Sequence, residues 1–346
     1  MEFFGVSCES IYYHYTAVPF GSKLAPAVAS LISEELTIMI KEVLKIESIA
    51  YLDDILLISN GPHRAVEEKE LTLELLQNMN FEINFDKVEG PSKDIEFLGF
   101  KILSGYPLTL TIESTKLQTV RQKVIQALDS RKLNYSQIAS LAGSLLFVSE
   151  VDILGWANTL PLWNCTKGLN TENRNKKIKL SEISRNHLKW WKERLDVRNI
   201  NYPPTISTMA PLTEHDILNA RRLFTDASGT KGFGFHTDDY YIQEHHDWNN
   251  DMFSGNDMLE KELYPLVYFL ENYGFYYEHE IIIWLCDNAA AVLTTNGGAA
   301  RNVESNQLII RYLLASSKHN IQVLAIWIPR EYNELADYLS KYNVYY

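Results

Sequence analysis

Long apolar runs are missing from this 346-residue sequence: residues 281–286 form one of the longest, far short of the roughly 18–20 that a membrane-spanning helix needs. The start, Met1-Glu2-Phe3-Phe4-Gly5, has neither the basic opening nor the apolar stretch of a secretory signal. These absences predict an intracellular protein, cytoplasmic or nuclear, with no membrane contact. Cysteine is scarce. Cys8, Cys165 and Cys286 stand far apart without Cys-x-x-Cys spacing, which predicts reduced, partly buried thiols rather than disulfides or zinc ligands. There is no internal repeat and no low-complexity tract. What remains is a chain with 46% apolar residues, enough for real cores, and a length that suits two or three compact units.

The net charge is −12, but it is unevenly spread. Residues 116–200 hold fifteen Lys/Arg against seven Asp/Glu, a local +8, which leaves −20 for the rest. A cationic segment of this kind can track a phosphate backbone by releasing condensed counterions. A solvated helix face has the same composition, and both readings stay open. Acidic residues elsewhere that bind metal would make the formal charge misleading.

Periodicity divides the chain. Residues 24–44 read as helix, 46–59 as two β-rich runs around Asp53-Asp54, 65–79 as helix, and 81–84 and 96–102 as short strands. That order suits an α+β layer better than a doubly wound sheet. Helices follow at 116–128 and 135–148, a polar basic loop at 164–180, and a helix at 184–195 carrying Trp190-Trp191. The proline-rich stretch 199–211 reads as an extended linker. Beyond it come strands at 222–226, 232–236 and 240–244, a helix at 259–273 and a strand at 280–286. A helix at 303–317, a strand at 321–328 and a last helix at 332–340 complete a mixed sheet flanked by helices.

Four acids stand out in that last region. Asp226 lies in the apolar strand Leu-Phe-Thr-Asp-Ala-Ser-Gly (223–229), where a carboxylate needs compensation for lost hydration, and a bound cation supplies it. Glu262 lies near the start of an amphipathic helix, Asp287 closes the strand at 281–286, and Asp337 sits on the final short helix. Singly, each has an ordinary role: Asp287 before Asn288 can cap a helix, and Glu262 can favour a helix N-terminus. Together they occupy the ends or inner faces of four different core elements.

The boxes Thr-Asp-Ala-Ser (225–228), Glu-Lys-Glu-Leu (260–263), Cys-Asp-Asn (286–288) and Asn-Glu-Leu-Ala-Asp-Tyr-Leu-Ser (333–340) resemble the RNase H domain of retroelements. Order, element type and acid separations of 36, 25 and 50 residues agree with that family. The resemblance implies two Mg²⁺ ions, with Mn²⁺ as a substitute, held by Asp226, Glu262, Asp287 and Asp337. Asp226 would bridge the ions. Such ions, roughly 4 Å apart, activate water and stabilise the leaving oxygen. The implied substrate is an RNA–DNA hybrid, recognised by shape and 2′-hydroxyls. Many relatives carry a histidine where this chain has Trp327-Ile328-Pro329-Arg330. Arg330 there is either an aid to product release or a surface arginine.

Upstream, Tyr51-Leu52-Asp53-Asp54 places two carboxylates at a hairpin turn, which is also the composition of any Asp-rich turn. Its neighbours are similar to a reverse-transcriptase palm: Val18-Pro19-Phe20-Gly21 with Ala25-Pro26 before it, and 81–90 with Glu96-Phe97-Leu98-Gly99 after it. The resemblance implies that Asp53 and Asp54 ligate metal and that Lys87 protonates departing pyrophosphate, although a surface lysine fits equally. It also implies that Phe20, Gly21, Phe97, Leu98 and Gly99 contact primer-template nucleic acid. The helices at 116–128 and 138–148, with Leu-Ala-Gly-Ser-Leu-Leu (141–146), resemble the thumb of retroelements that carry a tyrosine recombinase. The family needs one more palm aspartate, and the eighteen residues before Pro19 contain none. Primer extension by this chain alone is therefore not expected, and dNTP would bind only if that aspartate were supplied.

The expected architecture is α+β to α/β and multidomain. It comprises a partial palm (1–110), a helical thumb or connection (111–200), a linker (201–219) and an RNase H-like mixed sheet with flanking helices (220–346). The expected activity is RNase H cleavage by a reverse-transcriptase fragment, of the LTR/tyrosine-recombinase type. The alternative is a non-catalytic nucleic-acid-binding remnant, which genomic context would distinguish.

Overall fold

A computed structural model describes residues 5–8, 11–14, 23–105, 107–167, 175–208, 213–248 and 257–342. The chain divides into two compact units, Met1–Leu108 and Thr109–Tyr346. Phe20 and Gly21 lie outside the described residues.

In the first unit, β1 (Gly5–Cys8) and β2 (Ile11–His14) pair antiparallel. Helix α1 (Ala25–Met39) has a proline in its first turn, where no amide donor is missed, and continues as a π-turn, Ile40–Leu44. The hairpin β3 (Glu47–Tyr51) and β4 (Asp54–Ile58) follows, then α2 (Pro62–Asn78). The expected strand at 81–84 is absent. Asn84 instead accepts a hydrogen bond from the Asp86 amide (3.1 Å) and caps the 3₁₀ turn Phe85–Lys87. The expected strand at 96–102 is a hairpin, β5 (Asp94–Phe97) and β6 (Phe100–Leu103), turning at Leu98-Gly99 with φ of 52° and 83°.

After β7 (Leu108–Thr111), whose last three residues open the second unit, come α3 (Ser114–Asp129), β8 (Leu133–Asn134) and α4 (Tyr135–Ser149). Reciprocal bonds between Asn134 and Gln137, both 2.9 Å, form a capping box on α4. Next come α5 (Gly155–Asn164), β9 (Lys177–Ile178), α6 (Glu182–Arg194), β10 (Thr205–Thr208) and α7 (Glu214–Asn219). Part of the stretch expected as linker is thus strand β10, which lies beside β7. Pro161 interrupts α5 and cannot donate to the Ala157 carbonyl, so Asn306 Nδ2 donates to it instead (2.9 Å). That bond ties the helical segment to the C-terminal part of the chain.

The C-terminal sheet contains β11 (Arg221–Ala227), β12 (Gly232–Thr237), β13 (Gln243–Asp247), β14 (Ile281–Cys286) and β15 (Gln322–Trp327). Its order is β13-β12-β11-β14-β15, antiparallel from β13 to β11 and parallel from β11 to β15. Between strands run α8 (Met258–Tyr273), α9 (Ala289–Gly297) and α10 (Val303–Lys318), and the six-residue α11 (Glu334–Leu339) follows the last strand. The described residues therefore form a mixed α+β structure. Alternation along the strands sends Leu223, Phe233, Phe235, Ile282, Trp284 and Cys286 into one core with α8 and α10. The opposite face carries Phe224, Ile283 and Leu285. Burying side chains of this size contributes roughly 1.5–3 kcal/mol each, so the sheet gives its edges a stiff foundation.

Candidate metal centre

The parallel pairing of β11 and β14 runs through Phe224 opposite Leu285. Continued two residues, that register sets Asp226 level with Asp287, where both strands reach their carboxyl ends. Ligand sites in α/β sheets form at such ends. Glu262 arrives from α8 on one side, and Asp337 from α11 on the other. The ligand atoms of Glu262, Cys286 and Asp287 all lie within 4.8 Å of one another. Asp226 and Asp337 lie outside this tightest group but close enough for charge to couple them to it.

Electrostatics expose the conflict in this cluster. Burial, then the charges of Asp226 and Asp287, push the Glu262 carboxyl up to about 8. Asp226, 4% exposed, is raised by burial and by the charges of Asp287 and Asp337, against a hydrogen bond from Ser340. Asp287 is raised mainly by burial, against the Arg330 charge. Burial would raise Asp337 as well, but hydrogen bonds from Lys341 (2.5 Å) and Arg330 hold it below the usual carboxylate range. Arg330 is also felt by Asp226, Glu262 and Asp287, so its guanidinium overlooks the whole cluster. A divalent cation would relieve the repulsion that proton binding now relieves, and four carboxylates are the hard donor set that Mg²⁺ or Mn²⁺ takes.

Neighbouring groups fix the ligands. Asn288 accepts from the Ala290 and Ala291 amides (3.0 and 3.1 Å), so it, not Asp287, caps α9. Trp327 Nε1 donates to the Asp287 carbonyl (2.9 Å). Cys286 is fully buried beside Glu262, 3.9 Å from sulfur to carboxylate oxygen, a proximity that cysteine spacing could not reveal.

In the first unit Asp53 and Asp54 are exposed at the β3–β4 tip. Leu52 takes a positive φ of 55°, uncommon for a leucine, and Ser33 Oγ on α1 donates to its carbonyl (2.5 Å). Lys87 ends an exposed 3₁₀ turn, and Phe97–Gly99 form a separate hairpin tip. Among the described residues no hydrogen bond or ion pair joins Lys87 or Leu98 to Asp53 or Asp54, and neither aspartate belongs to a group of three potential metal ligands.

The molecule thus combines a carboxylate-bearing β-hairpin unit with a mixed sheet that gathers buried acids at its strand ends. Residues 2–102 match the reverse transcriptase (RNA-dependent DNA polymerase) family. The chain is 30% identical over 136 residues to a Pro-Pol polyprotein of simian foamy virus type 3, covering 39% of this chain and 11% of that protein. It spans about a tenth of the length of the curated relatives it matches. Among solved structures, a foamy viral protease-reverse transcriptase in complex with double-stranded DNA aligns with 93% of this chain and 52% of its own, at 15% identity and a TM-score of 0.46. An N-terminal RNase H domain from Mycobacterium tuberculosis, fused to maltose-binding protein, aligns with 35% of this chain and 95% of its own, at 17% identity and a TM-score of 0.29. The nuclease reading therefore stands on the acids of this chain itself.

Proposed function

We propose that this chain is a reverse-transcriptase and RNase H segment of a retroelement polyprotein, of the LTR/tyrosine-recombinase type. Its part spanning residues 220–346 hydrolyses the RNA strand of RNA–DNA hybrids. What supports this is that Glu262 and Asp287 lie together and that charge couples Asp226 to both of them and to Asp337, so acids from four separate elements influence one strand-end site. Asp226, on the central strand β11, would hold divalent metal together with Glu262, Asp287 and Asp337. Mg²⁺ or Mn²⁺ bound by these acids would supply activation of a water molecule and charge stabilisation of the leaving oxygen. Arg330, exposed above the cluster, meets the phosphate of the strand being cut. The hybrid is held by shape and 2′-hydroxyls rather than sequence.

Asp53 and Asp54 are the palm's metal ligands, with Lys87, Phe20, Gly21 and Phe97–Gly99 in the roles that the family resemblance assigns. The deciding experiment is Mg²⁺-dependent cleavage of a labelled hybrid by the purified chain and by Asp226→Asn. Cleavage by wild type alone supports the reading. Equal cleavage by both, or none by either, defeats it.

A further inference from the structure

Helix α11, which carries Asp337, has only six residues. A helix of less than two turns does not hold itself in water, so its position is set by what it touches. Three contacts on three adjacent strands do this. Asn333, buried at its start, donates Nδ2–H to the Thr225 carbonyl of β11, one residue before Asp226 (2.9 Å). Its far end lies directly on β12 at Gly234, where a Cβ would meet Leu339 Cβ at 2.3 Å and its carbonyl carbon at 2.5 Å. On β13, His245 Nδ1 lies 2.5 Å from the Leu339 carbonyl. A carbonyl only accepts, so that nitrogen carries the proton and donates. It thereby satisfies one of the carbonyls that a helix end leaves without a partner.

The last two contacts share a line with the candidate metal ligand. Asp226 pairs with Gly234 across β11–β12, and Gly234 pairs with His245 across β12–β13. One rung of the sheet thus presents a ligand, a bare backbone on which α11 rests, and a donor that grips its end. We propose that His245 and Gly234, about which the sequence motifs say nothing, are positioning residues that set the distance between Asp337 and Asp226. The metal affinity of the centre then depends on a histidine that is not one of its ligands. This inference rests on the metal-centre reading above. Groups that orient metal ligands typically change affinity by about 10–100-fold when removed.

The test is Mn²⁺ binding to the full chain, read from loss of the free-ion paramagnetic resonance signal, with thermal melts to confirm folding. Wild type binds Mn²⁺ and Asp226→Asn loses that binding; without this difference the metal-centre reading itself fails. Given it, His245→Ala and Gly234→Ala each weaken binding by about 10-fold. His245→Asn, whose Nδ2 sits where the imidazole Nδ1 was, restores it, whereas His245→Gln, with its donor one bond too far, does not. Should His245→Ala not fold, the Asn and Gln variants decide alone. Unchanged affinity in His245→Ala, or equal affinities for the Asn and Gln variants, overturns the positioning role while leaving the metal centre standing.

Discussion

The chain has two sets of acidic residues, and their surroundings are opposite. Asp53 and Asp54 stand exposed at the tip of a two-stranded hairpin, steadied by one hydrogen bond from Ser33 to the turn. Asp226 and Glu262 are buried at the strand ends of a five-stranded sheet, with Asp287 half-buried beside them. A buried, mutually repelling cluster is costly in the absence of a cation, so it is itself a signal of what the site takes. An exposed pair carries no such signal, since water solvates both charges. The same residue type thus announces a function in one unit and stays silent in the other, and burial makes the difference.

The largest test of this contrast uses single amides in place of acids. Asp226→Asn is expected to cut hybrid cleavage by about a thousandfold, in line with the several kcal/mol that a positioned metal ion supplies. Asp53→Asn should leave the same rate within about twofold, the range of surface changes worth no more than ~0.5 kcal/mol. A gel-based cleavage assay of both proteins suffices. Loss of cleavage in the Asp53 variant would mean that the hairpin pair contributes to the nuclease, and the division drawn here would be wrong.

A smaller effect concerns pH. The Glu262 carboxyl rises from an ordinary 4.5 to about 8 on folding, chiefly through burial. Across that interval the folded chain binds more protons than the unfolded one, so this group's contribution makes stability fall as pH rises, with the loss complete above about 8. Asp226 and Asp287, also raised, add to the same trend. Divalent ions compete with those protons, so Mg²⁺ should raise the melting temperature more at pH 8 than at pH 6. Glu262→Gln should flatten the metal-free profile. A Mg²⁺ effect that shrinks as pH rises would contradict this sign.

Much of this was legible in the sequence because periodicity and chemistry agreed. The strands around Asp226 and before Asp287, and the helix carrying Glu262, follow from apolar alternation and 3.6-residue spacing. Helix α5 was not predicted, and its Gly155 and Pro161 are the two residues with the poorest helix propensity. Its orphaned carbonyl is satisfied by Asn306, 149 positions away, which no local pattern reports. Strand β13 begins three residues later than its apolar start suggests, because Tyr240 adopts a positive φ of 56° in the preceding turn. Its polar run Gln-Glu-His-His-Asp has little strand propensity and is held by pairing with β12. Gly234 and His245 stayed hidden for the same reason: their importance lies in what crosses them, and only the folded chain brings α11 there.

The smallest expected effect concerns the hairpin tip. Ser33→Ala removes the bond to the Leu52 carbonyl, and Leu52 then has less to hold it at positive φ. The cost is about 1 kcal/mol, the usual net worth of one hydrogen bond, or roughly fivefold in the local opening equilibrium. Amide exchange at residues 52–54 should speed up accordingly, while the amides of α4, whose Asn134–Gln137 box is untouched, keep their rates. The converse variant, Asn134→Ala, should lose a similar ~1 kcal/mol from α4 and leave the tip unchanged. Exchange that accelerates in both places in either variant would mean that the two units open together, and acidic sites described as independent would have to be treated as coupled.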